Sequence, residues 1–250
     1  MSGKRYVLLG VAAYFAFLLA TLPASVAWKY FIDLADMPQL NQQVSQLDGS
    51  VWDGSTKIHI DSLSYPLAWH VSLRSLWRLG LELDLSSYQD IFSADTKVFI
   101  SPFGLALREA RAKVSEDLVN RSLQSAAASM TNPVFINVQE VDWAWGSFSE
   151  ANGRIAWEGG LVTYRDGRNT KQLFVPSMVG SLSSEDGSLV LTFASSAETG
   201  AEELISARLS GEGLGLIQVR RRLFDLLGQR WAENSQAQDI IFEISQQLWN

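Results

Sequence analysis

An uncharged apolar run near the amino terminus constrains this chain more than any other feature. The run extends from Tyr6 to Trp28, and Lys4 and Arg5 stand directly before it. As a helix it spans roughly 34 Å, which exceeds the hydrocarbon core of a bilayer at about 30 Å. A basic pair on the amino side favours a cytoplasmic amino terminus. The sequence therefore predicts one transmembrane helix that enters the membrane from the cytoplasm.

This topology divides the chain into a cytoplasmic tail (1–5), a transmembrane helix (6–28) and a large domain (29–250) outside the cytoplasm. A cleaved secretory signal is the alternative, because Ser25-Val26-Ala27 supplies the small residues that a signal peptidase needs. The apolar run is longer than the usual signal core of about 7 to 15 residues, which favours an uncleaved anchor. Later stretches carry charges every few residues and predict no second span.

The composition of the chain limits which partners it can bind and which covalent or metal sites it can form. The chain has no cysteine, so it can form neither a disulfide nor a thiolate metal site. Its formal charge is −7, and removing the two basic residues at the start leaves the remainder more acidic still. An acidic surface is a poor match for phosphate backbones, so nucleic acid is not an expected partner.

Alternation of polar and apolar residues indicates strands throughout the large domain. It is clearest at 57–61, 67–71 and 79–85, and in the last of these the odd positions are apolar and should face a core. Asp166-Gly167 and Asp186-Gly187 each lie between two such segments and are typical of hairpin turns. The predicted fold class is mainly β, with a largely antiparallel domain that contains few helices.

Two segments of this domain have their own helix or strand signals. Glu116 to Met130 is predicted as a helix, because Ser115 can cap it and acidic residues occupy its first turn. The segment 239–249 fits a helical face and also alternates as a strand at Ile240, Phe242 and Ile244. Its β-branched residues favour the strand.

The chain also shows a weak internal similarity. The segment from Gly49 to Ile58 aligns without gaps on the segment from Gly146 to Ile155. This predicts two similar halves, at about 45–115 and 134–216. Chance is the alternative, since any turn that leads into a strand selects glycine and β-branched residues.

Several short motifs in a fixed order together resemble one known family. They are the basic-then-apolar start with Leu22-Pro23-Ala24-Ser25, then Gly49-Ser50-Val51-Trp52-Asp53-Gly54, Leu67-Ala68-Trp69, Gly153-Arg154-Ile155-Ala156-Trp157-Glu158-Gly159-Gly160, and Arg221-Arg222-Leu223. This set is similar to the N protein of the type II secretion system. The resemblance implies an accessory subunit, anchored in the bacterial inner membrane with its bulk in the periplasm, that contacts other secretion subunits during export of folded proteins. The family is also distantly similar to AsmA-type periplasmic proteins, which implies a lipid-handling groove as the alternative function.

Residues that could carry catalysis do not form a recognisable constellation. His59 and His70 are the only histidines and lie on separate predicted strands, and Ser55 with Lys57 reads as a surface pair. We therefore predict no catalytic, cofactor-binding or metal-binding residues and no cofactor. An anchored enzyme is the weakest of the three function classes, after an assembly subunit and a lipid-handling groove protein.

Two sets of residues are candidate partner contacts. Arg220, Arg221 and Arg222 form a basic cluster that suits an acidic partner or lipid headgroups, although a solvated helix start is the favoured interpretation. Trp143 and Trp145 share one face of a predicted strand and can line an apolar docking surface, although core packing is favoured.

Overall fold

The computed structural model describes residues 3–35, 43–60, 63–124, 127–144, 146–166, 169–196, 202–228 and 235–248. The chain divides into two compact units, an amino-terminal unit (Met1–Gln89) and a carboxy-terminal unit (Asp90–Asn250). Strands dominate, and the strands pair antiparallel throughout the described residues. The predicted mainly β, antiparallel class is confirmed.

The amino-terminal unit consists of two helices followed by a four-stranded sheet. Its elements are α1 (Gly3–Ala20), α2 (Ala24–Ala35), β1 (Val44–Gly49), β2 (Asp53–Ile60), β3 (Leu63–Ser72), a 3₁₀ helix (Leu73–Arg78) and β4 (Leu81–Tyr88). The strands pair in sequence order, β1 with β2, β2 with β3 and β3 with β4. Short connections of this kind produce a simple meander.

The apolar run at the start of the chain forms two helices where one was expected over 6–28. The break lies at Thr21–Pro23, where the hydroxyl of Thr21 donates to the carbonyl of Phe17 at 2.8 Å. Proline explains the break, because it has no N–H to donate and its ring clashes with the preceding turn. Among the described residues, none of the helices combines the length and the apolar character needed to cross a membrane.

The amino-terminal sheet has one apolar face and one polar face. On one face Leu67 lies opposite Thr56, and Trp69 lies opposite Leu85. On the other, His70 lies opposite Asp84. The alternation predicted at 57–61, 67–71 and 79–85 is present in β2, β3 and β4, although residue 61 lies outside the described residues, and the odd positions 83 and 85 share the apolar face. The prediction that odd positions face a core is wrong at Leu79, which precedes β4, ends the 3₁₀ helix with a φ of +56° and is 68% exposed.

The carboxy-terminal unit holds the remaining strands in two sheets. Its elements are β5 (Phe92–Ser101), β6 (Gly104–Val114), α3 (Glu116–Leu123), β7 (Ala128–Met130), β8 (Val134–Ala144), β9 (Ser147–Trp157), β10 (Gly160–Asp166), β11 (Asn169–Val175), β12 (Met178–Glu185), β13 (Ser188–Ser195), β14 (Glu203–Ser210), β15 (Leu214–Arg220), α4 (Arg221–Leu226) and β16 (Ile240–Gln247). Nine strands follow the order β5-β6-β8-β9-β12-β13-β14-β15-β16, and a smaller sheet has the order β11-β10-β7.

The core of this unit lies where the large sheet meets the small sheet and α4. Leu204 is its most deeply buried side chain, at 1% exposure, and it contacts Val175 of β11 and Met178 of β12. Partly buried side chains pack around these three, from β9, β10, β11, β13, β14 and the segment of α4: Trp157, Val162, Leu173, Phe193, Ile205, Leu223, Leu226 and Leu227. The cluster joins elements distant in sequence and so fixes their positions.

The predicted helix over Glu116 to Met130 begins as expected and ends early. The Ser115 hydroxyl accepts from the N–H of Leu118 at 3.4 Å, which confirms the cap. The helix stops at Leu123, and the strand β7 follows at Ala128. The Asn120 side chain accepts from the N–H of Met130 at 2.7 Å and donates to the Met130 carbonyl at 3.0 Å. These two hydrogen bonds hold Met130, in the strand β7, against the helix.

The ambiguous segment near the carboxyl end is a strand, as its β-branched residues favoured. It forms β16 and pairs along its length with β15. In the two segments aligned as a repeat, Gly49 and Gly146 both have positive φ, but Gly146 directly precedes β9 whereas Gly49 ends β1 and is separated from β2 by residues 50–52. The division into two similar halves stays a prediction.

Candidate docking and ligand surfaces

Two glycines and one serine within residues 49–54 determine the conformation of the turn there. Gly49 has a φ of +92°, and the Ser50 hydroxyl accepts from the N–H groups of Trp52 and Asp53 at 3.2 and 3.1 Å. Gly54 lies against the ring of Trp69, where a Cβ would collide with it. Glycine is thus required at both ends of the turn, at the first for backbone conformation and at the second for space.

This turn binds the carboxyl end of α1. The N–H of Val51 donates to the carbonyl of Leu22 at 3.0 Å, and Nε1 of Trp52 donates to the carbonyl of Leu19 at 2.8 Å. Leu19 lies in the last turn of α1 and Leu22 lies two residues beyond it, where carbonyls have no partner within the helix, so these donors help to satisfy them. The 49–54 turn therefore fastens the sheet of the amino-terminal unit to the end of its first helix.

An apolar cavity lies between α2 and the apolar face of the same sheet. Its volume is about 480 Å³. We call it the α2 cavity, and its walls are formed by Ala24, Ala27, Trp28, Val44, Leu47, Val51, Thr56, Ile58, Leu67, Trp69 and Leu83. Volumes of roughly 300 to 1,000 Å³ are typical of small-molecule sites. The sequence did not reveal this cavity, because it depends on where α2 packs against the strands.

The polar face of that sheet carries both histidines and Ser55, and the structure does not bring them together. Nε2 of His59 lies 2.6 Å from Oγ of Ser45, while Nδ1 of His70 lies 3.0 Å from Oδ2 of Asp53. These are two separate exposed pairs at opposite ends of β2. Ser55 is exposed on the same strand. Within the residues that the structure describes, no group of three or more potential ligands is arranged to hold a metal ion.

A charged cluster on the large sheet was missed by sequence reasoning. The guanidinium of Arg108 lies 2.5 Å from Asp142 and 3.7 Å from Glu140. The pKa of Arg108 is raised, first by its hydrogen bond to Asp142. The pKa of Glu150 is also raised, because its carboxyl hydrogen-bonds Glu140 and lies near the charges of Glu140 and Asp142. Three carboxylates around one cation leave this surface negative, and only the strand register reveals it.

One face of the large sheet carries an apolar row across all nine strands. The row runs through directly opposed residues: Ala94, Ala112, Ile136, Ile155, Gly180, Phe193, Ile205, Val219 and Phe242. Its middle part contributes Phe193 and Ile205 to the core. A neighbouring row of opposed residues, Leu182, Leu191, Ala207, Ile217 and Ile244, lines a cavity of about 280 Å³. The apolar face therefore continues beyond the part that the core covers.

The outermost strand, β16, exposes most of its apolar side chains. Phe242 is 50% exposed and Ile244 is 63% exposed, and Ile240 and Leu248 are also exposed. Among the described strands β16 has one neighbour, β15. An edge strand with exposed apolar side chains offers both backbone hydrogen-bonding groups and apolar contacts to another chain.

The three arginines predicted as a partner contact face carboxylates of their own chain. Arg220 lies 3.1 Å from Glu203, Arg221 lies 3.5 Å from Asp225, and Arg222 lies 3.6 Å from Glu202. The guanidinium of Arg220 also donates to the carbonyl of Gln238 at 2.9 Å, and that of Arg221 donates to Ser235 at 3.1 Å. These contacts fix the start of α4 to β14 and to the segment before β16. A role in partner binding stays a prediction.

The structure describes one of the two tryptophans that were predicted to share a docking face. Trp143 is half-buried on β8, opposite Leu105 on β6 and Phe148 on β9. Phe148 is buried, so Trp143 has an apolar neighbour within the sheet. Trp145 lies outside the described residues. The prediction that the pair forms one docking surface is therefore not tested.

The family model for the type II secretion system (T2SS), protein N, matches residues 41–239. The chain belongs to this family. The resemblance carried by the short motifs is thereby confirmed, and membership implies an accessory subunit of a type II secretion system. A search of curated proteins and a search of solved structures each returned no significant match.

The range shared with the protein N family leaves out both ends of the chain. It begins after α1 and α2 and stops directly before β16, which starts at Ile240. It includes the 49–54 turn and the four-stranded sheet that forms the floor of the α2 cavity. The apolar run and the exposed edge strand therefore lie outside the range shared with the family.

Proposed function

We propose that this protein N family member is a non-enzymatic assembly subunit, held at the inner membrane by its amino-terminal run with residues 29–250 in the periplasm. α1 supports this location, because its exposed side chains are apolar on every side, with Tyr6, Val7, Leu8 and Leu9 each about 70% exposed. Lys4, at its start, suits the cytoplasmic surface. Its role in the export of folded proteins is to bind other secretion subunits.

The single observation that carries the docking role is the exposed edge strand β16. Phe242 and Ile244 project from the apolar face, and the strand's outer backbone groups lie at the sheet edge. Proteins usually protect such edges with charges, prolines or a covering element. We propose that a strand or apolar segment of another secretion subunit covers β16 and extends the sheet.

Replacement of Ile244 by lysine tests this surface, because it places a charge in the proposed contact. Ser245→Lys is the matched control, since Ser245 is exposed on the opposite face of the same strand. We expect Ile244→Lys to reduce the secretion subunits that co-purify with the full-length protein by about tenfold, which corresponds to roughly 1.4 kcal/mol. Equal loss with both variants, or no loss with either, would contradict docking through this face.

A reporter fused after Asn250 tests the location. We expect activity from a reporter that functions only in the periplasm, and activity of a cytoplasmic reporter there would overturn the topology. The amino-terminal residue of the mature protein separates an anchor from a cleaved signal. A mature chain that begins near Trp28 would establish cleavage.

A lipid-handling groove is the second candidate, and the continuous apolar face of the nine-stranded sheet is the observation that favours it. The part lined by Leu182, Leu191 and Ile217 forms a cavity beyond the core. Purification in mild detergent, followed by identification of proteins and lipids in one sample, distinguishes the two functions. Secretion subunits without stoichiometric lipid favour the assembly subunit, whereas stoichiometric lipid without those subunits favours the groove.

A further inference from the structure

We propose that the α2 cavity holds an acyl chain of a bilayer phospholipid. This site lies in the amino-terminal unit and is separate from the apolar face of the nine-stranded sheet. The inference rests on the proposed contact of α1 with the membrane. It adds a specific ligand site to that contact, built by α2 and the four-stranded sheet.

The chemistry of the walls selects an apolar occupant. Thr56 is the one wall residue with a hydroxyl, and this group donates to the carbonyl of Ser45 at 2.9 Å. The indole N–H of Trp69 donates to the carbonyl of Val51 at 3.2 Å. Both groups are therefore engaged within the protein. A polar ligand would lose its hydration here and find neither of these two groups available, whereas an alkyl chain has no hydrogen bonds to lose.

The shape of the α2 cavity suits an acyl chain that enters from one side. Helix α2 forms one wall with Ala27 and Trp28, and the strands form the other with Leu67, Trp69 and Leu83. The volume of about 480 Å³ exceeds what one apolar side chain needs, and an alkyl chain adapts to it by rotation about its bonds. Every methylene that enters leaves water and gains dispersion contacts with both walls.

The position of the α2 cavity beside the end of α1 indicates that a membrane phospholipid supplies the acyl chain. Val51 belongs to the cavity wall, and its N–H is bonded to the carbonyl of Leu22 directly after α1. Trp52, the next residue, is bonded to the carbonyl of Leu19 in the last turn of α1. The cavity thus begins where the exposed apolar surface of α1 ends. A phospholipid beside α1 can place one chain in the cavity while its headgroup stays in water.

Photolabelling of the full-length protein in nanodiscs tests the site. The probe is phosphatidylglycerol with a diazirine near the end of one acyl chain, and labelled peptides are identified by mass spectrometry. We expect label on peptides that contain Leu67 and Leu83. Ala27→Phe fills the cavity from the α2 side and should reduce that label to about a tenth. Ala68→Phe is the matched control, because Ala68 is exposed on the polar face of β3, and should leave the label unchanged.

Each photolabelling result either supports or overturns the proposed acyl-chain site. Label on α1 alone overturns the acyl-chain site and leaves the membrane location standing, whereas label on neither overturns both. Unchanged label with Ala27→Phe, or displacement of the label by an equal amount of free palmitate, also overturns the assignment to a bilayer lipid. If Ala27→Phe fails to fold, Leu83→Phe fills the cavity from the sheet side and gives the same decision.

Discussion

Replacement of Arg220 by methionine distinguishes a structural role of the arginine cluster from a docking role. Arg220 and Glu203 are 3.1 Å apart, and their side chains are 21% and 28% exposed. Arg220 also donates to the carbonyl of Gln238. Methionine keeps the apolar part of the side chain and removes both polar contacts. The ion pair is therefore lost with little change in packing volume.

The burial of this pair sets the expected size of the effect. Exposed ion pairs contribute about 0.2 to 1 kcal/mol, and breaking a buried pair costs about 3 to 5 kcal/mol. The Arg220–Glu203 pair lies between these limits, so we expect the free energy of unfolding to fall by about 2 kcal/mol. With a slope of about 2 kcal/mol per molar urea, the unfolding midpoint should fall by about 1 M.

A double-mutant cycle with Glu203→Gln isolates the pair from the other contacts of Arg220. We expect a coupling free energy of about 1 to 2 kcal/mol that decreases as salt is added. Amounts of co-purified secretion subunits are measured on the same variants. An unchanged urea midpoint together with lost co-purification would refute the structural role and establish Arg220 as a partner contact.

Three further predictions concern the core, the acidic cluster and the polar sheet face. Leu204→Ala should lower the free energy of unfolding by about 3 kcal/mol, measured in urea, because the buried site cannot collapse fully. The raised pKa of Glu150 means that its stabilising contribution is present at acid pH and lost as the pH rises through the folded pKa; Glu150→Gln should therefore raise the urea midpoint at neutral pH and lose this advantage near pH 4. Alanine at His59, His70 or Ser55 should leave secretion unchanged, and loss of secretion by a folded, membrane-inserted variant would revive the enzyme hypothesis.

The strands were predictable because their signal is local. Period-two alternation needs only a few neighbouring residues, and it located the strands at 57–61 and 67–71 and the apolar odd positions of β4. The end of α3 was not predictable in this way. It depends on hydrogen bonds from the Asn120 side chain to Met130, and a sequence window does not show which residues a side chain will reach.

The candidate surfaces were mostly hidden from the sequence, because they depend on register and packing. Arg108 meets Asp142 and Glu140 only through the pairing of β6 with β8, and a shift by one residue would separate them. The α2 cavity likewise requires the position of a helix against a sheet. The cluster at Arg220 was visible as a run of charge, but its carboxylate partner Glu203 belongs to another strand.

The joint between α1 and the 49–54 turn depends on the spacing of two main-chain carbonyls and not on the identity of the helix side chains. Both acceptors are main-chain carbonyls, those of Leu19 and Leu22, which any residue supplies. Substitutions along the apolar helix can therefore accumulate without loosening the joint. One residue inserted before Leu19 would leave the joint intact, whereas one inserted between Leu19 and Leu22 would rotate one acceptor by about 100° relative to the other. The composition of this helix should therefore tolerate substitution, whereas the spacing from Leu19 to Leu22 should not tolerate insertion.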